Sequence, residues 1–247
     1  MRQALPRWFA HRGGGSLAPE NTLAGIRLAA RLGYKAVEFD VMLSGDGTPV
    51  LIHDETLERT TNGVGRVCDT SDAVLFSLDA GHGEPIPRFA EAAALCRELG
   101  LLANVEIKPT TGYELPTAEI VARQTAEFWC GAAVPPLLSS FSLEALAVAR
   151  DLAPKIARGV LFEAVPVDWL AVLVRLQAFS LHCAAEQLTD AVLAEALGRN
   201  IPVLCYTVNQ PEKAKMLFAR GVSGLFTDRL DLFGPETNAY KGLHLGG

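Results

Sequence analysis

Short apolar runs alternate with longer stretches of helical periodicity along most of this chain, and glycine- or proline-rich turns separate them. The run Trp8-Phe9-Ala10-His11 opens the series and leads into the loop Gly13-Gly14-Gly15. Asn21 then reads as the N-cap of a helix with Leu23, Ile26 and Ala30 on one face and Gly33 at its end. Ala36–Val41 is a second apolar strand. The turn Ser44-Gly45-Asp46-Gly47-Thr48 is too short for a crossover helix, so Val50–His53 is expected to return antiparallel. Turn-rich text continues through Asn62-Gly63-Val64-Gly65 and Gly81-His82-Gly83-Glu84-Pro85 and gives way to a helix near Arg88. Residues 43–87 therefore read as an insertion between a strand and its helix.

Beyond that point the rhythm is regular. Helix Arg88–Leu99, ended by Gly100, precedes strand Leu102–Ile107 and a helix over Pro116–Phe128. Strand Leu137–Ser140 feeds a helix capped by Ser142 and stopped at Pro154. Strand Gly159–Phe162 feeds one capped near Asp168, with Leu170, Leu173 and Val174 facing inward. Strand Phe179–His182 feeds a helix from Thr189 to Gly198, strand Val203–Thr207 feeds one beginning near Gln210, and Leu225–Thr227 is the last strand. Leaving out the antiparallel return, eight strands alternate with helices. That is the pattern of an α/β fold of the (β/α)8 TIM-barrel class; an open doubly wound sheet is the alternative. The 247 residues suit one barrel, so 1–247 reads as a single domain carrying an inserted subdomain at about 43–87.

Composition narrows the function classes. A hydrophobic fraction of 49% with 20% charged residues describes a globular protein, and the net charge of -6 disfavours nucleic acid as a partner. No apolar run approaches the roughly 18 residues of a membrane span, so no stable membrane insertion is expected. Met1–Pro6 lacks the apolar core of a signal peptide, which points to the cytoplasm, with an export sequence removed beforehand as the alternative. The five cysteines are spread without a CxxC pair and read as reduced core residues. Gly242–Gly247 reads as a loose tail, and no feature sets an oligomeric state.

In a barrel of this class the chemistry collects at the C-terminal ends of the strands. His11-Arg12 ends the first strand, Glu38 and Asp40 the second, and Glu106 and Lys108 the third; later ends carry Ser140-Phe141, Glu163, His182, Tyr206-Thr207 and Thr227-Asp228. Glu38 and Asp40 stand at i and i+2 of a strand and so share a face. Three carboxylates at one mouth repel, and all-oxygen ligands from adjacent strands are what a hard divalent cation takes. Glu38, Asp40 and Glu106 are therefore expected to hold Mg²⁺ or Ca²⁺. His11 and His53 titrate near neutral pH and suit a general acid and base, with the hairpin carrying His53 over the mouth. Together with a cation and Arg12 to neutralise a phosphoryl group, the set fits phosphate-ester cleavage. No GxSxG elbow and no Walker loop is present.

These residues, His11-Arg12, Pro19-Glu20-Asn21-Thr22, Glu38-x-Asp40, His53-Asp54 and Glu106-x-Lys108, resemble the glycerophosphodiester phosphodiesterases of cytoplasmic bacterial type. The resemblance continues through Asp79-Ala80-Gly81, Ile86-Pro87, Ser140-Phe141, Tyr206-Thr207-Val208-Asn209 and Thr227-Asp228, and so spans nearly the whole chain. It implies a TIM barrel with a small insertion after the second strand. It further implies metal-dependent hydrolysis of small glycerophosphodiesters, such as glycerophosphocholine and glycerophosphoethanolamine, to an alcohol and sn-glycerol 3-phosphate. On this sequence His11 and His53 would act as acid and base, Glu38, Asp40 and Glu106 would hold the cation, and Arg12 and Lys108 would contact phosphate. His182 and Tyr206, at later strand ends, are further candidates for substrate contact. Tyr206 stands where the family commonly has Trp, and Arg88-Phe89-Ala90-Glu91 replaces the usual Thr-Leu-Glu-Glu. Alternative functions are a lysophospholipase D-like phosphodiesterase and a non-catalytic protein that binds phosphorylated polyols.

Overall fold

Strand β1 (Trp8–Ala10) pairs in parallel with β2 (Ala36–Leu43) on one side and with β9 (Gly224–Thr227) on the other, and this closes the sheet into a ring. Between β2 and β9 run β4 (Leu102–Ile107), β5 (Leu137–Ser140), β6 (Ala157–Phe162), β7 (Ser180–Ala184) and β8 (Val203–Tyr206), each parallel to its neighbours. A closed ring of eight parallel strands is a (β/α)8 barrel. The doubly wound alternative would leave two edges, and β1 has none free. The computed structural model describes residues 5–234, and the segment read as a loose tail lies outside them.

Alternation along the strands builds two apolar regions. Phe9, Ala36, Leu102, Leu137, Leu204 and Phe226 pack against one another inside the ring. Each such burial contributes about 1.5–3 kcal/mol for the larger side chains, and Phe226 also forms part of the floor of the cavity at the strand ends. The outward positions carry the helices. Val37, Phe39, Val41 and Val105 lie against α1 (Leu23–Arg31), α3 (Phe89–Leu99) and α4 (Glu114–Phe128). Val160, Leu181, Cys183, Val203 and Cys205 lie against α6 (Trp169–Leu176), α7 (Asp190–Gly198) and α8 (Pro211–Arg220). All five cysteines are free; four are buried, and Cys130 is exposed rather than in the core.

Local chemistry sets the element ends. The Ser142 hydroxyl accepts from Ala145 N at the start of α5 (Leu143–Leu152), the Thr189 hydroxyl accepts from Val192 N, and Gly100 takes φ 64° to end α3. Two expectations are corrected. The N-cap of α1 is Thr22, which accepts from Gly25 N, and not Asn21. On α6, Val172 and Leu176 face inward with Leu173, whereas Val174 is 70% exposed.

Between β2 and α3 the chain leaves the barrel. β3 (Pro49–Leu51) runs antiparallel to the end of β2, pairing Leu51 with Val41 and Pro49 with Leu43. Met42, Val50, Ile52, Leu57, Val67, Leu75 and Ile86 form a small separate core under it, which includes the single-turn helix α2 (Asp72–Leu75). The Asp72 carboxylate accepts from Ser44 Oγ and Thr48 Oγ1, both at 2.6 Å, and so ties that helix to the hairpin turn. The small core and these two bonds brace the hairpin against the rest of the segment.

Candidate active site

The loop after β1 folds back onto β2 because Arg12 and Asn21 both adopt left-handed backbone angles, φ 50° and 56°. Arg12 N donates to Glu38 Oε2 at 2.8 Å and Gly13 N donates to the Glu38 carbonyl at 2.8 Å. Gly15 closes the loop at φ 56°, where an added Cβ would stand 2.3 Å from the Asp228 carbonyl oxygen, so only glycine lets β1's loop meet the end of β9. The result is that His11, Arg12, Glu38 and Asp228, distant in sequence, share one small volume.

Glu38 and Asp40 from β2 and Glu106 from β4 are 4%, 2% and 8% exposed. Asp40 is directly opposite Glu106 in the ladder. One oxygen of each of the three carboxylates lies within 4.8 Å of the others. At an effective dielectric near 20, each ionised pair at that distance costs roughly 3 kcal/mol. Burial and the charge of Asp40 push Glu38 and Glu106 up to about 8. Asp40 is buried too, which would raise it, but the charges of Lys108, His53 and Arg12 and a hydrogen bond from Asn21 hold it below its usual value. Lys108 Nζ is 3.3 Å from Asp40 Oδ1 and Arg12 Nε is 3.9 Å from Asp40 Oδ2. These two cations answer one carboxylate of three. A divalent cation among the oxygens would let the other two ionise, and an all-oxygen donor set is the kind that suits a hard ion.

Both histidines are oriented by aspartates. His11 Nδ1 is 2.6 Å from Asp228 Oδ1 and His53 Nδ1 is 2.6 Å from Asp54 Oδ1. A carboxylate only accepts, so each Nδ1 carries the hydrogen and each Nε2 is left for other work. Burial pulls His11 down, but the Asp228 hydrogen bond and the charges of Glu38 and Asp228 outweigh it and the net shift is upward. At His53 burial wins over Asp40 and Asp54, and the net shift is downward.

A cavity of about 160 Å³ opens at the C-terminal ends of the strands and is lined by His11, Arg12, Glu38, Asp40, His53, Glu106, Lys108 and Tyr206. The distance in sequence from His53 to the carboxylates is therefore closed by the inserted hairpin. Arg12 Nε is buried there with no hydrogen-bond partner, a donor suited to a phosphate oxygen. Tyr206 is edge-on to Phe141, with centroids 5.9 Å apart, and its hydroxyl donates to the Phe162 carbonyl at 2.8 Å, so its ring forms a wall. His182 is not brought to this cavity. It is wholly buried inside the barrel, 2.9 Å from Ser180 Oγ and 5.5 Å from the Phe226 ring, where burial pushes it down to about 3. Gly159 makes the room, since a Cβ there would stand 2.4 Å from His182 Nε2.

Sequence reasoning missed two supports. Asn21, read as a helix cap, donates to Asp40 Oδ2 at 2.9 Å and accepts from Asp40 N at 3.1 Å. Asp228 orients His11 and is itself gripped by Asn209, which donates to its Oδ2 at 2.9 Å and accepts from its N–H at 2.8 Å. The placement of Asp228 at the last strand end was the available signal.

Residues 11–232 match the model of the Glycerophosphoryl diester phosphodiesterase family. The chain belongs to that family. It is 32% identical over 227 residues to a glycerophosphodiester phosphodiesterase of Caldanaerobacter subterraneus, covering 89% of this chain and 93% of that one. Among solved structures it resembles an Oleispira antarctica phosphodiesterase in complex with the product sn-glycerol-3-phosphate, at 38% identity and a TM-score of 0.88, over 91% of this chain and 93% of that one. A Thermotoga maritima glycerophosphodiester phosphodiesterase is also similar, at 25% identity and a TM-score of 0.76, over 93% and 97% of the two chains. As a member of the family the chain is a phosphodiesterase. No helix among the described residues is long and apolar enough to cross a membrane.

Proposed function

We propose that this protein hydrolyses small glycerophosphodiesters, such as glycerophosphocholine and glycerophosphoethanolamine, to an alcohol and sn-glycerol 3-phosphate, with His11 and His53 as the acid–base pair. The observation that carries the reading is the shared cavity: two aspartate-oriented imidazoles, a three-carboxylate cluster, Arg12 and Lys108 all face it. Glu38, Asp40 and Glu106 would hold Mg²⁺ or Ca²⁺, which when bound supplies Lewis-acid stabilisation of phosphoryl charge.

The protein's own groups do the rest. Arg12 and Lys108 contact the phosphate oxygens and offset the charge that grows on them. One imidazole Nε2 accepts the proton of the attacking oxygen as its bond to phosphorus forms. The other starts as the imidazolium and gives its Nε2 proton to the head-group alkoxide as the P–O bond breaks, so the leaving group departs as a neutral alcohol. Asp54 and Asp228 hold the rings in the tautomer that presents Nε2. The Phe141–Tyr206 wall shelters the apolar part of the substrate.

The test is a coupled assay for glycerol 3-phosphate release, with and without a chelator. Release that stops on chelation and returns with added cation supports the reading. The acid–base assignment would fail if His11→Ala and His53→Ala each kept near-wild-type turnover.

A further inference from the structure

The imidazole of His53 is set by Asp54, and Asp54 is in turn set by Arg59, five residues further along the inserted segment. Arg59 Nε is 2.5 Å from Asp54 Oδ2 and its Nη2 is 2.9 Å from Asp54 Oδ1. The same guanidinium reaches the β1 loop, with Nη1 2.8 Å from Glu20 Oε2 and Nη2 2.9 Å from Glu20 Oε1. Glu20 Oε1 also accepts from Arg12 Nη1 at 2.9 Å. The contacts form an unbroken line, Arg12 to Glu20 to Arg59 to Asp54 to His53, that crosses from the barrel loop to the hairpin.

Exposed ion pairs by themselves add little stability, on the order of 0–1 kcal/mol each. This one differs in geometry rather than strength. Two forked, two-point contacts on one planar guanidinium fix the angle between two carboxylates, which a single ammonium cannot do. The segment is pinned on its other side as well: Glu55 Oε1 accepts from Thr111 N at 3.1 Å and Thr111 Oγ1 at 2.9 Å. With both flanks held, what remains to be set is the Asp54 carboxylate, and Arg59 is the group that holds it.

We propose that Arg59 is a positioning residue for His53: through Asp54 it fixes the ring and tautomer of the imidazole, and through Glu20 it ties that imidazole to the phosphate-facing Arg12. Arg59 touches no reacting atom in this arrangement. The idea rests on the acid–base reading of His53 for its kinetic consequence and on geometry alone for its structural one.

The experiment compares wild type, Arg59→Ala, Arg59→Lys, Asp54→Asn and the Arg59→Ala/Asp54→Asn double variant. Two readouts are taken: ¹H–¹⁵N imidazole correlation spectra reporting the His53 tautomer, and kcat and KM on glycerophosphocholine. Expected is a loss of the Nδ1–H tautomer in Arg59→Ala and a kcat lower by roughly 10- to 100-fold, the usual cost of removing a group that orients a ligand or base. Arg59→Lys should recover only part of each, and the double variant should be no worse than Asp54→Asn. A wild-type His53 spectrum and kcat in Arg59→Ala, or fully additive losses in the double variant, would overturn the proposal. If Arg59→Ala does not fold, Glu20→Gln with Arg59→Lys reads the same bridge from its other end. The spectra need no substrate, so an absence of turnover in wild type would sink the functional reading while the tautomer still decides the role of Arg59.

Discussion

Asn21 grips Asp40 by two hydrogen bonds, one to the Oδ2 of its carboxylate and one from its backbone N–H, although nothing in the helical pattern around Asn21 requires either. The left-handed backbone at Asn21, φ 56°, is what turns its amide away from the helix and toward β2. Asn21→Gly keeps that backbone at no steric cost and removes both bonds. Expected is a fold preserved by circular dichroism and a roughly 10- to 100-fold loss of cation affinity by calorimetry. Unchanged affinity would mean that Lys108 and Arg12 alone hold Asp40.

Asp228→Asn tests the other orienting pair. An amide at that position offers a donor as readily as an acceptor to His11 Nδ1, now 2.6 Å from a carboxylate, and so releases the tautomer. By analogy with orienting aspartates elsewhere, kcat should fall by roughly 10²- to 10⁴-fold with little change in KM. A fall of less than about threefold would show that His11 is set by the β1 loop and not by Asp228.

Cation binding should release protons. Burial and the Asp40 charge raise Glu38 and Glu106 above the usual carboxylate range, so the ion-free cluster binds protons more tightly than the same carboxyls do in the unfolded chain. The folded state then binds more protons than the unfolded one, and ion-free stability falls as pH rises from about 4.5 to about 8. A bound cation favours the carboxylates and reverses that cost. Calorimetric titration of Mg²⁺ or Ca²⁺ in two buffers of different ionisation enthalpy should show net proton release at pH 7 and an affinity that climbs with pH and levels off above about 8. Binding without proton release would contradict the raised carboxyls.

His182 predicts a stability profile. Burial lowers it from 6.5 to about 3, so the unfolded chain takes up a proton that the folded chain refuses as pH falls through that window. Stability attached to His182 is present above pH 6.5 and is lost progressively below it, by about 3 kcal/mol at pH 4. Guanidinium midpoints between pH 7 and pH 4 should therefore fall less steeply in His182→Gln than in wild type. Equal slopes would show that the ring is protonated in place.

Much of the site is legible because strand ends in a barrel share one face. Glu38-x-Asp40 on an apolar strand, Glu106-x-Lys108 on the next and His11-Arg12 on the first can be grouped from topology, since side chains at i and i+2 point together and parallel strands present their ends together. The insertion is legible from a turn too short for a crossover. His53 and Tyr206 also reach the cavity that their positions suggested. His182 does not, because β7 runs on to Ala184 and leaves His182 two residues short of the strand end, within the barrel rather than above it, and strand-end boundaries read from sequence are uncertain by that much.

The sequence by itself determined the order of elements and the chemical types gathered at the strand ends, because these follow from periodicity and from local turn chemistry, whereas closure of the ring was decided by the pairing of β1 with β9. Only the tertiary structure decided which partner each group has. Asn21 serves Asp40 and not the helix, Asp228 serves His11 across the whole length of the chain, and Arg59 joins Glu20 to Asp54 across the insertion boundary. The physical reason is that hydrogen bonds are set by distances of tenths of an ångström, which depend on how the β1 loop and the hairpin pack onto the barrel. Periodicity places a residue on a face; only packing places its atoms.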